Sequence, residues 1–390
     1  MNNALYIGTM SGTSVDGLDI VIVDIHDNGT VQLLHSYFAT YPESLRLDIR
    51  KLQTLTSAVL FNQQQEKLDH IDKALSEFYA VHINKCLAEA NIPAENIKAI
   101  GNHGQTILHQ PNSKPAFSLQ ICNPQNLANK CCIPVIANFR QADIEQGGQG
   151  APLMPAFHAT VFKKYSPCAI INIGGISNTT FLLNDDNAND DHNSHVIGFD
   201  NGPGNTLMDA WIYKHQKKSY DRNGEWAKSG KTHDSLLEKL LNHFFFSQPA
   251  PKSTGQDIFN LQWLEGLLSE FPALAPNDVQ ATLCDLTASC IANDVSNIDT
   301  IELQHIFICG GGVNNSFLLE RLKFFLRKNI LIQSTASVGI DPNWLEALGF
   351  AWLASCHTNK FSGNLPSVTG AKNAVVLGQR FDPKQNHSLG

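Results

Sequence analysis

No run of about 18 uncharged apolar residues occurs in this chain, which excludes a membrane-spanning helix at the level of sequence. The opening residues MNNA carry no basic start ahead of a long apolar core, so a secretory leader is not expected and the cytoplasm is the expected compartment. The nine cysteines form no C-x-x-C pair; the adjacent Cys131 and Cys132 precede the strand-like IPVI at 133–136, the pattern of buried free thiols rather than of a zinc or disulfide framework. Charge is sparse, at 16% of residues, and the 28 Lys and Arg are scattered over a chain of net charge -8. Neither nucleic acid nor an anionic membrane surface is therefore an expected partner. Two common nucleotide motifs are also missing. There is no G-x-x-x-x-G-K-[ST] loop, and no glycine turn is followed by an acidic residue in a dinucleotide-binding context.

What is present is a chain of 390 residues, 43% hydrophobic, long enough to bury the core of two domains. Its most informative segment is LYIGTMSGTSVDGLDIVIVD at 5–24, in which a turn rich in glycine and hydroxyls, with two carboxylates, joins two apolar strand-like runs. Gly8, Gly12 and Gly17 permit close backbone approach and positive φ, and Thr9, Ser11, Thr13 and Ser14 add donors for an anion. Asp16 and Asp19 would repel bare phosphate, so the turn reads as a site for a nucleotide with a divalent cation, Asp16 and Asp19 being the metal candidates.

A second strand-turn-strand, CAIINIGGISNTTFLL at 168–183, repeats the first. Aligning Ile7-Gly8 with Ile173-Gly174 gives an offset of 166 residues (173 − 7), the size of a domain. Two lobes of related topology are expected, each with one phosphate-binding hairpin. Between the hairpins the spacing predicts a helix over 64–91, with Leu68, Ile71, Leu75, Phe78, His82 and Leu87 on one face, and strands at 97–102 and 132–137. Beyond them it predicts helices at 205–215, 235–246, 278–298, 315–328 and around 342–353, with a strand at 303–309. The alternation indicates an α/β protein. The QGGQGAP break at 146–152 places the lobe boundary near 137–150, giving lobes 1–137 and 138–359, with 360–390 free to return to the first. The polar run at 184–195, with His192 and His195, reads as a solvated hairpin tip.

Two further glycine clusters follow strand-like runs. GGGVNN at 310–315 opens a helix that Asn314 or Asn315 could cap, where a base or ribose could lie against backbone. In VIGFDNGPGNTLMD at 196–209 a strand ends in Asp200 and a Gly-Pro-Gly turn feeds a helix. A carboxylate at the carboxyl end of a strand projects toward the ligand crevice of α/β folds. Asp200 is accordingly the candidate general base; the bland alternative has it satisfied by the N–H groups of 202–205. Asp209 reads as structural or as a contact to a metal-bound water.

The candidate nucleotide-binding residues are Gly12, Thr13, Ser14, Val15, Asp16, Gly17, Leu18 and Asp19 from the first turn, and Gly174, Gly175 and Asn178 from the second. Gly202, Gly204 and Asn205 follow the base, and Gly310, Gly311, Gly312 and Asn315 form the third cluster. GNHGQT at 101–106 and NFRQADIEQGGQGAP at 138–152 supply amide, imidazole, guanidinium and carboxylate groups suited to an amino sugar. His103, Gln105, Arg140 and Asp143 are substrate candidates, whereas Asn102 and Asn138 fit turn braces as well as ligands. Glu346, in the first turn of a helix, either lies on the surface or reaches the ligand.

Taken together, MSGTSVDGLD, NHGQT, GGQGAPL, NIGGISN, FDNGPGN and GGGVNN resemble the anhydro-N-acetylmuramic acid kinase family over almost the whole chain. The resemblance implies the two-lobed, duplicated hexokinase/Hsp70/actin-like (ribonuclease H-like) ATPase fold with an interlobe cleft, and ATP and Mg²⁺ as cofactors. It implies opening of the 1,6-anhydro bridge of 1,6-anhydro-N-acetylmuramate by water, with transfer of the γ-phosphoryl to the freed oxygen, during cell-wall recycling. Asp200 would then deprotonate the water. A small amino-sugar substrate is the implied partner, and a homodimer is left open. Asn138 stands where the family pattern has Asp, Asn201 where it has Thr, and Gln256-Asp257 where it has Arg or Lys followed by Glu. The competing readings are a hexose or amino-sugar hydroxyl kinase of the same fold and an actin- or Hsp70-like nucleotide switch.

Overall fold

The computed structural model describes residues 3–12, 14–26, 29–54, 64–111, 113–183, 196–255, 257–298, 303–326 and 330–384. Thr13, His192, His195 and Gln256 lie outside the described residues. In chain order the elements are β1 (Asn3–Ser11), β2 (Gly17–His26), β3 (Val31–Thr40), α1 (Glu43–Gln53), α2 (Gln65–Ala90), β4 (Ile97–Gln110), β5 (Phe117–Ile121), α3 (Pro124–Cys131), β6 (Val135–Ala137), α4 (Phe139–Glu145) and α5 (Met154–Phe162). There follow β7 (Cys168–Ile173), β8 (Ile176–Leu182), β9 (Val196–Pro203), α6 (Thr206–Gln216), α7 (Glu225–Lys228), α8 (Asp234–Leu241), α9 (Leu261–Leu268) and α10 (Pro276–Ser296). The chain continues with β10 (His305–Cys309), α11 (Ser316–Leu326), β11 (Leu331–Ser334), α12 (Leu345–Thr358), α13 (Pro366–Thr369) and β12 (Gln379–Phe381).

The chain divides into a first unit, Met1–Val161 with Trp344–Gly390, and a second, Phe162–Asn343. In the first unit the sheet order is β12-β6-β4-β1-β2-β3, with β5 paired to β4. The strands β1, β2 and β3 form an antiparallel meander, while β4 runs parallel to β1 and β6 parallel to β4. In the second unit the order is β11-β10-β7-β8-β9: β7, β8 and β9 are antiparallel, β10 is parallel to β7, and β11 parallel to β10. The two sheets therefore repeat one strand order with the same directions, the duplication expected from the paired hairpins. The equivalence differs in register. Strand β1 runs on to Ser11, so Gly12 rather than Gly8 corresponds to Gly174, an offset of 162 residues (174 − 12).

The central strands are buried on both faces, which accounts for their unbroken apolar runs. Ile20 and Ile22 of β2 meet Leu68, Ile71, Leu75, Tyr79 and Ile83 of α2; its apolar face passes through Tyr79 and Ile83 rather than through the expected Phe78 and His82, which are partly buried. Helix α12 covers the opposite face. A Cβ at Gly8 would lie 1.9 Å from the carbonyl oxygen of Ala347, so this glycine serves helix-on-strand contact and not a phosphate turn. In the second unit α10 is buried along nearly its whole length among Ile171, Phe181, Leu207, Trp211 and Leu318.

The expected boundary near 137–150 is corrected by these packings. The Gly-rich break at 146–152 is a loop within the first unit, tied to the chain's end by Gln149 N–H to Thr369 O (2.9 Å) and Lys372 N–H to Gln146 O (2.9 Å). Helix α12, placed in the second lobe by sequence, likewise belongs to the first unit, and β12 pairs antiparallel with β6. Among the described residues no helix is long and apolar enough to cross a membrane. Eight of the nine cysteines are buried and all are free; Cys132 is exposed.

Candidate active site

In the first unit the hairpin register Met10↔Asp19 leaves Gly12 and Ser14–Asp16, among the described residues, in the turn. The Ser11 hydroxyl bridges Gly17 O (2.8 Å) and Gln105 Oε1 (2.7 Å), and Gln105 Nε2 donates to Gly12 O at 3.1 Å. Gln105, expected as a substrate contact, is thus a buried brace that fixes the turn from β4. Asn102 acts similarly: its Oδ1 accepts from the Thr9 hydroxyl (3.0 Å) and from Gly104 N–H (3.2 Å). The NHGQT motif lies inside β4 rather than at a strand end. Left-handed backbone falls at Val15 (φ 55°), not at Gly12 or Gly17, and Val15 and Leu18 are fully buried, which makes them anchors of the turn rather than ligand contacts.

The charged candidates of the first unit gather around this turn. Asp16 is exposed and Asp19 half-buried. Burial first, then the charges of Asp16 and Glu346, push the Asp19 carboxyl up to about 8. Burial also raises Glu346, against the opposing pull of Arg140. Arg140 is brought down to about 10 by burial, with Glu346 and Asp143 favouring its charged form. Its Nη1 donates to Gly150 O at 2.8 Å and its Nη2 to His103 Nε2 at 2.9 Å. Burial, then Arg140, hold His103 well below its usual range against the opposing effect of a backbone hydrogen bond at Gly104, so it is a neutral imidazole. Carboxylates from 16, 19 and 346 therefore face one locality, with a cation from 140 and a neutral ring from 103 beside them.

Among the described residues no group of three His, Cys, Asp or Glu is arranged to enclose a metal ion. The donor chemistry nonetheless suits Mg²⁺, which keeps several waters and takes one or two carboxylates plus phosphate oxygens. Mutual repulsion among Asp16, Asp19 and Glu346 is what a divalent cation would relieve.

Asp143 is reassigned by the structure. Its side chain is fully buried, and it accepts from Gly150 N–H (2.8 Å), Asn364 Nδ2 (2.7 Å) and the Thr369 hydroxyl (2.7 Å). With its oxygens so occupied it clamps the 146–150 loop and the C-terminal segment. Asn138, in left-handed conformation, donates to Gln379 Oε1 at 3.0 Å and is likewise a brace.

In the second unit the three glycine clusters converge. The N–H groups of Gly204 and Asn205 donate to Gly175 O and Gly174 O, each at 2.8 Å, and Asn205 Nδ2 adds bonds to Ile173 O (3.1 Å) and Gly174 O (3.0 Å). A Cβ at Gly204 would come within 2.4 Å of Gly174 O, so only glycine allows this approach. A side chain at Gly311 would begin 3.9 Å from Asn205 Nδ2, and one at Gly312 2.4 Å from Ile173 Cγ2. Asn315 caps α11 through Leu318 N–H (3.0 Å), the role foreseen for this pair of asparagines.

Asp200 lies within β9, which continues to Pro203 rather than ending at the carboxylate. The ladder pairs Asn178 with Asp200 and Ser177 with Gly202, leaving Asn201 as a bulge, a device that re-aims neighbouring side chains. The N–H groups of 204 and 205 serve the hairpin, so the bland alternative for Asp200 does not hold. Its Oδ2 instead accepts the backbone N–H of Thr254 at 2.9 Å. Burial pushes its carboxyl up to about 6, against the lowering effect of the Thr254 and Ser253 hydrogen bonds and of Lys252. A half-buried carboxylate with a titration point just under neutrality and one oriented oxygen can accept a proton from water or a hydroxyl. Asp209 is also raised, to about 7, by burial and then by Asp221.

Sequence reasoning missed Lys252, Thr254 and Asp294. Thr254 holds the candidate base Asp200 through its N–H, and its own Oγ1 is buried without a hydrogen-bond partner. The available signal was the STG triplet at 253–255, whose two hydroxyls and glycine mark a polar turn of the kind that lines ligand sites.

A half-buried carboxylate close to converging glycine turns, on a duplicated α/β fold, is equipment that suits a kinase for small hydroxylated acceptors. The sequence profile of the anhydro-N-acetylmuramic acid kinase family matches residues 4–383. The anhydro-N-acetylmuramic acid kinase of Shewanella sp. (strain ANA-3) is 44% identical over 98% of this chain and 100% of its own length, and that of Pasteurella multocida (strain Pm70) 45% identical over 97% of each. This chain belongs to that family. Among solved structures it is similar to the activator of the 2-hydroxyisocaproyl-CoA dehydratase from Clostridium difficile with bound ADPNP (14% identity, 89% of this chain and 92% of that one, TM-score 0.42). It is also similar to a ROK family glucokinase from Streptomyces griseus in complex with glucose and AMPPNP (12% identity, 90% and 99%, TM-score 0.37).

Proposed function

We infer that this chain is the ATP-dependent kinase that opens 1,6-anhydro-N-acetylmuramic acid with water and phosphorylates it to N-acetylmuramate 6-phosphate in peptidoglycan recycling. Family membership supports the substrate, and the observation that carries the chemistry is Asp200, a carboxylate held by Thr254 N–H with its titration point near 6. In this reading Asp200 takes a proton from water as its oxygen bonds to the anomeric carbon. The bond from that carbon to the bridging oxygen breaks, and the freed oxygen takes the γ-phosphoryl of ATP, leaving ADP. A base ionised at neutral pH yet basic enough to accept a proton contributes about 10²–10⁴-fold in rate.

The glycine turns at 174–175, 202–205 and 310–312, with Asn178 and Asn315, are the proposed nucleotide contacts of the second unit, and the turn at 12–19 is the proposed phosphate contact of the first. Mg²⁺, held by Asp16 and Asp19, would supply charge neutralisation on those phosphates. His103, Arg140 and Glu346 are assigned to the sugar, where a neutral ring and a fixed guanidinium suit hydroxyl, acetamido and carboxylate groups. We place the reaction in the cytoplasm, where ATP is available; the homodimer left open by the family resemblance is tested by sedimentation equilibrium.

The deciding experiment monitors ADP release with 1,6-anhydro-N-acetylmuramate, N-acetylmuramate, N-acetylglucosamine and glucose in ¹⁸O-labelled water. Turnover of the anhydro sugar with one solvent oxygen at the anomeric carbon is expected. Phosphorylation of an ordinary hexosamine without solvent incorporation would assign Asp200 to a sugar hydroxyl instead.

A further inference from the structure

Around Asp200 lies a closed circuit of contacts that the reaction does not require on its face. Asp200 N–H donates to Lys252 O at 3.0 Å, and Thr254 N–H returns a bond to Asp200 Oδ2 at 2.9 Å, so segment 252–254 lies against β9 on both sides of the base. The Lys252 side chain is 3% exposed and its Nζ meets Asp294 Oδ1 of α10 at 3.1 Å, between the rings of Phe199 and Phe245, whose centres are 5.4 and 5.2 Å away. Asp294 Oδ2 accepts Asn201 Nδ2 at 2.9 Å, and Asn201 Oδ1 accepts the Thr179 hydroxyl at 2.8 Å. Asn201, covalently next to Asp200, closes the ring.

We propose that the buried Lys252–Asp294 ion pair is a positioning device for the base, fixing segment 252–254 against Asp200 and setting the electrostatic potential at its carboxylate. A buried pair is an inefficient source of stability, because desolvating both charges offsets their attraction and an apolar pair of similar volume often does as well. Its specific yield here is geometric and electrostatic. It anchors the segment that carries the Thr254 N–H, and it sets against the anion of Asp294 the Lys252 cation that favours the ionised form of Asp200.

The charged groups facing Asp200 among the described residues are few. Lys252, from the segment after the 244–247 turn, is the one that acts on Asp200, and Asp294 of α10 lies behind it, 3.1 Å from Lys252 Nζ. Strand β8 contributes only the neutral Asn178 and Thr179, and Cys290, one turn before Asp294, is held protonated by burial. In this proposal the two members act on Asp200 with opposite sign, Lys252 directly by favouring the ionised carboxylate and Asp294 by offsetting the charge of the lysine. A purely structural pair would not do so, since removing either partner would break the same contact and move the base the same way.

The proposal rests on the reading of Asp200 as the base, and its test separates the two. The Asp200 carboxyl is titrated by ¹³C NMR in enzyme labelled at aspartate Cγ, assigned by its loss in Asp200→Asn, in wild type, Lys252→Met and Asp294→Asn, and kcat/KM against pH is measured for each with the anhydro sugar. Lys252→Met is expected to raise the Asp200 midpoint and Asp294→Asn to lower it, each by roughly half a pH unit, about threefold in the protonation equilibrium. The acid limbs of the rate profiles should shift in step. Midpoints that stay put, or move in the same direction in both variants, overturn the proposal. If Lys252→Met does not fold, Asp294→Asn decides alone, an unchanged or raised midpoint being the overturning result. Wild type that leaves the anhydro sugar untouched would defeat the functional reading, while the NMR midpoints still judge the ion pair.

Discussion

Asn364 donates its side-chain amide to Asp143 Oδ1 at 2.7 Å, joining positions 221 residues apart inside the first unit. The same carboxylate receives Thr369 and Gly150, so one acidic group closes α4, the 146–150 loop and the C-terminal segment into a single body. The Gly150 carbonyl in turn receives Arg140. Asp143 thus holds the loop that holds the guanidinium.

Replacing Asp143 with Ala strips three buried donors of their acceptor. The expected cost is about 3 kcal/mol of stability, read by denaturant unfolding, with a higher KM for the sugar and a smaller change in kcat. Unchanged stability would show that the clamp carries no weight.

Asp200→Asn keeps the size of the side chain and removes its basicity. Turnover should fall about 10²–10⁴-fold while ATP affinity, measured by calorimetry, stays within roughly twofold. Full turnover in this variant would remove Asp200 from the role.

The rate profile should show an acid limb near pH 6. Asp200, raised to about 6, must be ionised to accept a proton, so kcat/KM declines as pH falls through that value and is level above it until another group titrates. A profile flat down to pH 4.5 would contradict this assignment.

Asp19 carries the reverse sign for stability. A carboxyl raised to about 8 in the folded chain resists the ionisation that is free in the unfolded one, so its penalty is absent in acid and grows as pH rises through the usual carboxylate range, levelling off above 8. In metal-free buffer at pH 9, Asp19→Asn should raise Tm by roughly 2 °C, while the further rise that Mg²⁺-ATP gives the wild type should shrink. A lower Tm in the variant would show that Asp19 is paired rather than repelled.

Much of the candidate site was legible as local structure, because glycine turns between apolar runs signal themselves locally. The 12–17, 174–175 and 310–312 turns, Asp200 and the cap at Asn315 were all found that way. Gln105 and Asp143 were misjudged for one reason: a polar side chain in a loop-like motif looks the same whether its partner is a ligand or a backbone group far along the chain. Only the fold supplied Ser11 and Gly12 to the one, and Asn364 and Thr369 to the other.

The order of residues by itself determined the α/β class, the paired hairpins, the family and the candidate base, since each depends on periodicity, turn chemistry or motif read within a few dozen positions. The tertiary structure alone decided that α12 and the chain's end belong with the first unit, that Gly8 serves a helix contact, and that Lys252, beside Asp200, pairs with Asp294. Those facts rest on burial and on encounters between distant segments, and a buried charge finds its partner through space, with no trace of that pairing in its immediate neighbours.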